Sequence, residues 1–163
     1  MKRPSVKTTR RSRSIKRVAA ALILRRANSG EDERTASAST GDLSILICQR
    51  TRHQPFPLKW EFPGGKIEPG EQPRDALRRE LDEELGIDAT IGDEITRIQH
   101  TYSRGGTVEL RFFVVNDFAG QIENRIFKDV RWVALQELPK FDFLEADAGL
   151  VEDIAAGRLL NIG

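Results

Sequence analysis

An α/β sandwich is the architecture this sequence predicts, and three observations carry the reading. Short apolar runs rich in β-branched residues recur along its 163 residues, an amphipathic helical pattern occupies 73–85, and a second helical spacing closes the chain. A chain of this length buries a real core, and one domain is the natural expectation.

The first 16 residues read as a basic arm ahead of that domain, 17–163. Lys2, Arg3, Lys7, Arg10, Arg11, Arg13, Lys16 and Arg17 stand with no acid among them, so a formal net charge of +1 leaves about −7 on the rest of the chain. With almost nothing to pack, the arm is expected to be disordered. Salt-dependent contact with nucleic acid is the lesser reading. A targeting signal is the least favoured: the apolar run Val18 to Leu24 is short, stops at Arg25 and Arg26, and has no small-residue cleavage site.

That run reads instead as a buried strand over Arg17 to Arg25. A second strand comes over Leu43 to Arg50, beyond a Ser-, Thr-, Gly- and charge-rich insertion at 28–42 that is expected to be mobile and is given no function. Cys48, the only cysteine, lies in this apolar run, so no disulfide framework exists. Cys48 reads as a small buried residue and not as a catalytic thiol, and a cytoplasmic setting is expected. No stretch approaches the roughly 20 apolar residues of a membrane span.

A loop over Thr51 to Pro57 leads into a strand, Leu58 to Phe62, and Pro63-Gly64-Gly65 is expected to turn the chain. The helix of 73–85 opens on Pro73, whose missing N–H costs nothing in a first turn, and ends before Gly86, where positive φ is easy. Beyond it, Ala89 to His100 and Thr107 to Val115 flank Ser103-Arg104-Gly105-Gly106 as a hairpin. Val130 to Ala134 is a further strand, and Glu145 to Ala156 a closing helix that stops at Gly157.

The chemistry concentrates on the first helix. At about 100° per residue, Leu77, Leu81 and Leu85 make one apolar stripe, while Glu80, Glu83 and Glu84 crowd the adjoining arc. Like charges at i,i+3 and i,i+4 oppose an isolated helix by about 0.2–0.5 kcal/mol per pair, so a bound cation would resolve the conflict. Carboxylates beside a glycine-turn carbonyl are hard oxygen donors with no nearby His or Cys. Magnesium, with manganese as a substitute, fits that set, and magnesium usually completes its shell with water and substrate phosphates.

The segment resembles the Nudix box, G-x(5)-E-x(7)-R-E-U-x-E-E-x-G-U with U a bulky aliphatic, and every specified position is filled. These are Gly65, Glu71, Arg79, Glu80, Leu81, Glu83, Glu84, Gly86 and Ile87. The flanking Trp60-Glu61-Phe62-Pro63-Gly64 and Lys66-Ile67-Glu68 are similar to the MutT-type branch, which hydrolyses nucleoside triphosphates to monophosphate and pyrophosphate. The resemblance implies a mixed sheet between two helices, with the box helix beside the substrate cleft. It implies that Glu80, Glu83, Glu84 and the Gly65 carbonyl hold metal, that Arg79 and Glu71 orient them, and that Glu80 or Glu83 is the general base. Lys66 would add a point charge against phosphate, or is a plain surface lysine.

Four further residues bear on the base. The resemblance places Arg50 where an Arg touches the nucleotide, with an exposed strand-end arginine a close second reading. It places Asp147 where MutT has a base-reading Asn, the bland alternative being a helix N-cap or first-turn acid. An ionised Asp accepts but does not donate, which would favour cytosine or an 8-oxidised purine. Phe112 or Tyr102 is a candidate stacking ring, against the commoner role of strand aromatics as core. One position departs from the pattern: six residues before Trp132, where many relatives have a metal-associated Glu, this chain has Ile126, with Glu123 and Asp129 the nearest acids.

The reading is therefore a magnesium-dependent pyrophosphohydrolase of a nucleoside triphosphate, 8-oxo-dGTP-like or dCTP-like. The alternatives are another nucleoside-diphosphate-linked substrate, such as ADP-ribose, a sugar nucleotide or a dinucleoside polyphosphate, or a non-catalytic sensing or nucleic-acid-tethered domain. A decayed site would have lost box carboxylates, and none is lost.

Overall fold

The computed structural model describes residues 14–26 and 42–160, so nearly all of the basic arm and of the 28–42 insertion lies outside the described residues. Strand β1, Lys16–Arg26, is the organising strand of the sheet. Its residues 19–24 are all buried, and they alternate between two cores. Ala20, Leu22 and Leu24 face one, and Ala19, Ala21 and Ile23 the other. A strand buried on both faces reads as a continuous apolar run, the pattern of Val18 to Leu24.

The remaining strands are β2 (Leu43–Gln49), β3 (Trp60–Glu61), β4 (Gly64–Lys66), β5 (Asp88–Thr90), β6 (Glu94–Tyr102), β7 (Gly106–Val115), β8 (Asp117–Ala119) and β9 (Asp129–Ala134). The sheet runs β3-β2-β1-β7-β6, with β4 added to β1 and β9 to β2. It is mixed: β1 and β7 are parallel, with Ala20 opposite Phe112, and the other pairs are antiparallel. Helix α1, Pro73–Leu85, packs Ala76, Leu77, Leu81 and Leu85 with Ala19, Ala21 and Phe113 on one face. Helix α2, Ala148–Ala155, packs Leu150, Val151 and Ile154 with Ala20, Leu22 and Phe112 on the other. This is the expected α/β/α sandwich.

Helix α1 has the expected bounds, with Pro73 in its first turn. Gly86 closes it at φ 67°, its N–H bonded to the Asp82 carbonyl at 2.9 Å. Four expectations need correction. Pro63-Gly64-Gly65 is not simply a turn, because Gly64–Lys66 pairs antiparallel with Val18–Ala20. The Leu58 to Phe62 strand contracts to Trp60–Glu61, since Leu58 sits at φ 62°, outside the β region. The strand expected over Ala89 to His100 is broken at 91–93, where the Gly92 N–H bonds to the Val114 carbonyl; its first part, β5, leaves the main sheet to pair with β8, and β6 begins with a bulge near Glu94. The closing helix begins as a 3-10 turn, Glu145–Asp147, and becomes α-helical only at Ala148.

Leu77 is fully buried between α1 and the sheet. Replacing it with Ala should lower stability by about 2–5 kcal/mol, measured as a shift in the urea midpoint with an unchanged slope.

Candidate active site

The pairing of β4 with β1 places Gly64 and Gly65 under helix α1. A Cβ on Gly64 would collide with the Ala19 carbonyl and Ala20 Cα of β1, so glycine is what lets these strands approach, and one on Gly65 would fall where the Glu80 carboxylate lies. The Gly64 N–H points at Glu84 Oε2 at 3.4 Å, a long bond that turns Glu84 inward.

Arg79 gathers the acids around it. Its guanidinium donates through Nε and Nη2 to the two oxygens of Glu71, both at 2.9 Å, and through Nη1 to Glu80 Oε1 at 2.9 Å. It also reaches the Lys66 carbonyl at 3.1 Å and lies 3.5 Å from Glu83 Oε2. This fork holds the Glu71 carboxyl down at about 2. The helix carboxylates behave differently. Burial pushes Glu84 up to about 8, and the neighbouring charges of Glu80, Glu61 and Glu83 push the same way against the Gly64 N–H. Burial raises Glu80 as well, opposed by Arg79.

Among the described residues no three His, Cys, Asp or Glu side chains converge on one ion-sized point, because Arg79 takes the central position among the acids. The donor set nevertheless suits a hard divalent cation. All its members are oxygens, and a carboxyl driven to about 8 by burial and its like-charged neighbours marks a site short of positive charge. Glu80 and Glu83 would turn from Arg79 to meet such an ion.

From this acidic corner a cavity of about 400 Å³ runs along β1 to the far end of the sheet. Glu84, Gly64, Gly65 and Lys66 line one end, and Arg50, Tyr102 and Asp147 the other. Lys66 and Lys16 bring positive charge to its wall. Ile126, 44% exposed, also lines it, whereas Glu123 pairs with Arg125 at 3.0 Å and Asp129 with Arg131 at 2.8 Å, and neither acid joins the lining.

The outer end corrects two sequence readings. Arg50 is not a free strand-end arginine: Nη1 donates to Glu61 Oε2 at 2.8 Å and Nε to the Pro55 carbonyl at 2.7 Å. Asp147 does stand at the N-cap position of α2, but not as a capping side chain. It has αR geometry, its side chain makes no capping bond, and it is 4% exposed against the cavity. Burial, with the charge of Glu61 adding and that of Arg50 opposing, pushes its carboxyl up to about 8. The shift favours the protonated carboxyl, which can donate as well as accept, against the acceptor-only expectation. Phe112 is fully buried with its ring edge-on to Phe62 at 6.1 Å, which is core geometry beneath the cavity floor.

Glu61 has no role in the sequence reading beyond its place in a flanking motif. In the structure it is pushed up by desolvation and held by Arg50 between the acidic corner and Asp147. No local pattern marks it, because its role arises from strands brought together across the sheet. Cys48 is a free, buried thiol pushed up by desolvation, as its place in a core strand leads one to expect. No helix among the described residues is long and apolar enough to cross a membrane.

A family model described as the NUDIX domain matches residues 16–154. A Mycobacterium tuberculosis protein named putative 8-oxo-dGTP diphosphatase 2 is 37% identical over 129 residues, 77% of this chain and 88% of its own length. A CTP pyrophosphohydrolase of Escherichia coli is 38% identical over 117 residues, 72% of this chain and 86% of its own. Among solved structures, MutT from a study of the Aliivibrio salmonicida and Vibrio cholerae proteins superposes with a TM-score of 0.65 at 28% identity, covering 88% of this chain and 99% of that one.

The buried Asp147 has a consequence for stability. Between its ordinary value near 3.8 and its raised value near 8, the folded state holds a proton that the unfolded state has lost, so this group's contribution falls as pH rises through that window. Asp147→Asn removes the titration. The excess of its melting temperature over that of the parent should grow from pH 5 to about pH 8 and level off above, in parallel thermal scans.

Proposed function

The chain belongs to the NUDIX family, and on that premise we propose that it is a MutT-type, magnesium-dependent enzyme that hydrolyses a nucleoside triphosphate to monophosphate and pyrophosphate. One observation carries the proposal: a single cavity joins the box carboxylates and glycines at one end to Arg50, Tyr102 and Asp147 at the other. Such a cavity offers the phosphates and the base of one nucleotide different linings, acidic and glycine-rich for the first, hydrogen-bonding and aromatic for the second.

In this reading Glu80, Glu83, Glu84 and the Gly65 carbonyl hold magnesium, with manganese as a substitute. Bound there, the ion neutralises charge on the phosphoryl oxygens and acidifies the attacking water. Arg79, fixed by its fork on Glu71, orients Glu80 and Glu83. Either Glu80 or Glu83 takes the proton of the water. Lys66 and Lys16 offset the negative charge of the incoming polyphosphate along the wall. With no acid at Ile126, the base comes from the helix itself.

At the other end Asp147 reads the base, and its protonated carboxyl supplies both a donor and an acceptor. The pattern suits an 8-oxidised guanine, whose N7 carries hydrogen beside the O6 acceptor, or cytosine, whose amino group lies beside the N3 acceptor. The names of the relatives agree with both choices. Retention of every box carboxylate speaks against a non-catalytic domain. The lone buried Cys48 suits the cytoplasmic setting that belongs to this reading.

The test is a panel of nucleoside triphosphates, unmodified and 8-oxidised, with ADP-ribose and a dinucleoside polyphosphate beside them, assayed with magnesium and then with chelator. Pyrophosphate release from at least one triphosphate, abolished by chelator, is expected. Turnover of no triphosphate, or release of inorganic phosphate instead, refutes the proposal. Glu80→Gln and Glu83→Gln should each lower kcat by about 10²–10⁴-fold with little loss of stability, and the variant that keeps its magnesium dependence while losing kcat identifies the base.

A further inference from the structure

The loop between β2 and β3 holds an exposed ring in a fixed place. Phe56, flanked by Pro55 and Pro57, is 44% exposed and lies at φ 54°, in the left-handed region that non-glycine residues rarely enter. Three bonds brace the loop around it. Arg50 Nε donates to the Pro55 carbonyl at 2.7 Å, the Thr51 N–H to Gln54 Oε1 at 2.8 Å, and Gln49 Nε2 to the Leu58 carbonyl at 3.1 Å. The ring rests on Tyr102 with centroids 4.7 Å apart and planes tilted by 32°. Tyr102 is backed in turn by His100, edge-on at 4.6 Å.

Five aromatic rings line the cavity, and they are not equivalent. Phe62, Phe112 and Phe127 are buried, and Phe62 and Phe112 meet each other edge to face. Phe56 and Tyr102 alone among the described lining rings keep part of their surface open. They lie at the end of the cavity that holds Arg50 and Asp147, where hydrogen-bonding groups meet the edge of a planar ligand and something flat must meet its face.

Building on the proposed function, we propose that Phe56 positions the substrate, forming with Tyr102 an aromatic wall on which the nucleobase stacks while its edge meets Asp147. At 4.7 Å the two rings are already in contact, whereas a base held between them would need about 7 Å, twice a carbon contact distance. The base therefore lies against the pair from the cavity side and not between its members. Base-on-aromatic stacking tolerates any base, so Phe56 contributes affinity and leaves the choice of base to Asp147. The signal is absent from periodicity, since Phe56 stands in an irregular loop.

The full chain carrying Phe56→Ala should show KM for its triphosphate substrate raised about tenfold or more, with kcat within about threefold of the parent. Phe56→Trp should restore KM, and neither change should lower the melting temperature appreciably, because the ring is half exposed. Inorganic tripolyphosphate, which has no base, should inhibit parent and variants equally. An unchanged KM in Phe56→Ala overturns the proposal. So does a parallel weakening of tripolyphosphate, which would mean that the loop acts on the phosphate end through Arg50. Calorimetric titration of a nucleoside monophosphate against ribose 5-phosphate separates this inference from the catalytic one. A base-dependent gain in affinity that vanishes in Phe56→Ala supports stacking even where no turnover is found. No such gain in the parent refutes it.

Discussion

Three carboxylates on one arc of a helix repel one another, and the arrangement of this protein around Arg79 is what contains that repulsion. The guanidinium bonds Glu71 through two nitrogens and Glu80 through a third, and ties the Lys66 carbonyl to the same group. A planar fork does this where a lysine point charge would not, because each of its donors has a fixed direction. The consequence reaches the backbone. With Lys66 held, β4 stays against β1, where only a glycine at 64 fits against Ala19 and Ala20, and the Glu80 carboxylate fills the space beside Gly65. The acidic face of α1 is thus locked to the strand that leads into the cavity.

Arg79 compensates only part of the charge. Glu84 makes no bond to it and is turned in toward Gly64, and burial together with Glu80 and Glu61 drives its carboxyl to about 8. The helix is stable in spite of this because its opposite stripe is fully buried: Ala76, Leu77, Leu81 and Leu85 are all at zero exposure. Burying a leucine contributes about 1.5–3 kcal/mol, several times the repulsion of a helical carboxylate pair. Packing on one face lets the other face keep carboxylates that repel one another.

How much of the molecule was legible in sequence depends on how far apart the cooperating residues are. The box helix, its proline start, its glycine end and its acidic arc all lie within 73–86, and the structure places them as read. The two-layer core was legible from the unbroken apolar run of β1. The second pairing of β1 was not, because a three-residue strand of two glycines and a lysine has no periodicity to display; its register is set by Ala19 and Ala20 across the sheet. Nor was the break at 91–93, where the Gly92 N–H answers a carbonyl on β7. Asp147 was legible as a candidate, but its protonation was not, since that depends on burial among segments distant in sequence and on the charge of Glu61 from β3.

The same contrast separates the two ends of the cavity physically. The phosphate end is local: Gly64 through Glu84 form one contiguous stretch, and its geometry is over-determined by Arg79, the β4 pairing and the leucine stripe. The base end is assembled from the β2–β3 loop, the end of β6 and the 3-10 turn before α2, which meet only through tertiary packing. A substitution at Phe56 or Tyr102 changes partly exposed surface, whereas one at Gly65 or Arg79 disturbs a cluster whose members depend on one another. On the proposed reading, chemistry and choice of base are therefore carried by parts that can vary independently. Asp147 is the exception, because the role proposed for it is filled from a buried position and its charge state depends on Glu61 and Arg50. On the proposed reading, altering Asp147 to change the preferred base therefore also alters how the fold responds to pH, a coupling that the partly exposed pair Phe56 and Tyr102 does not have.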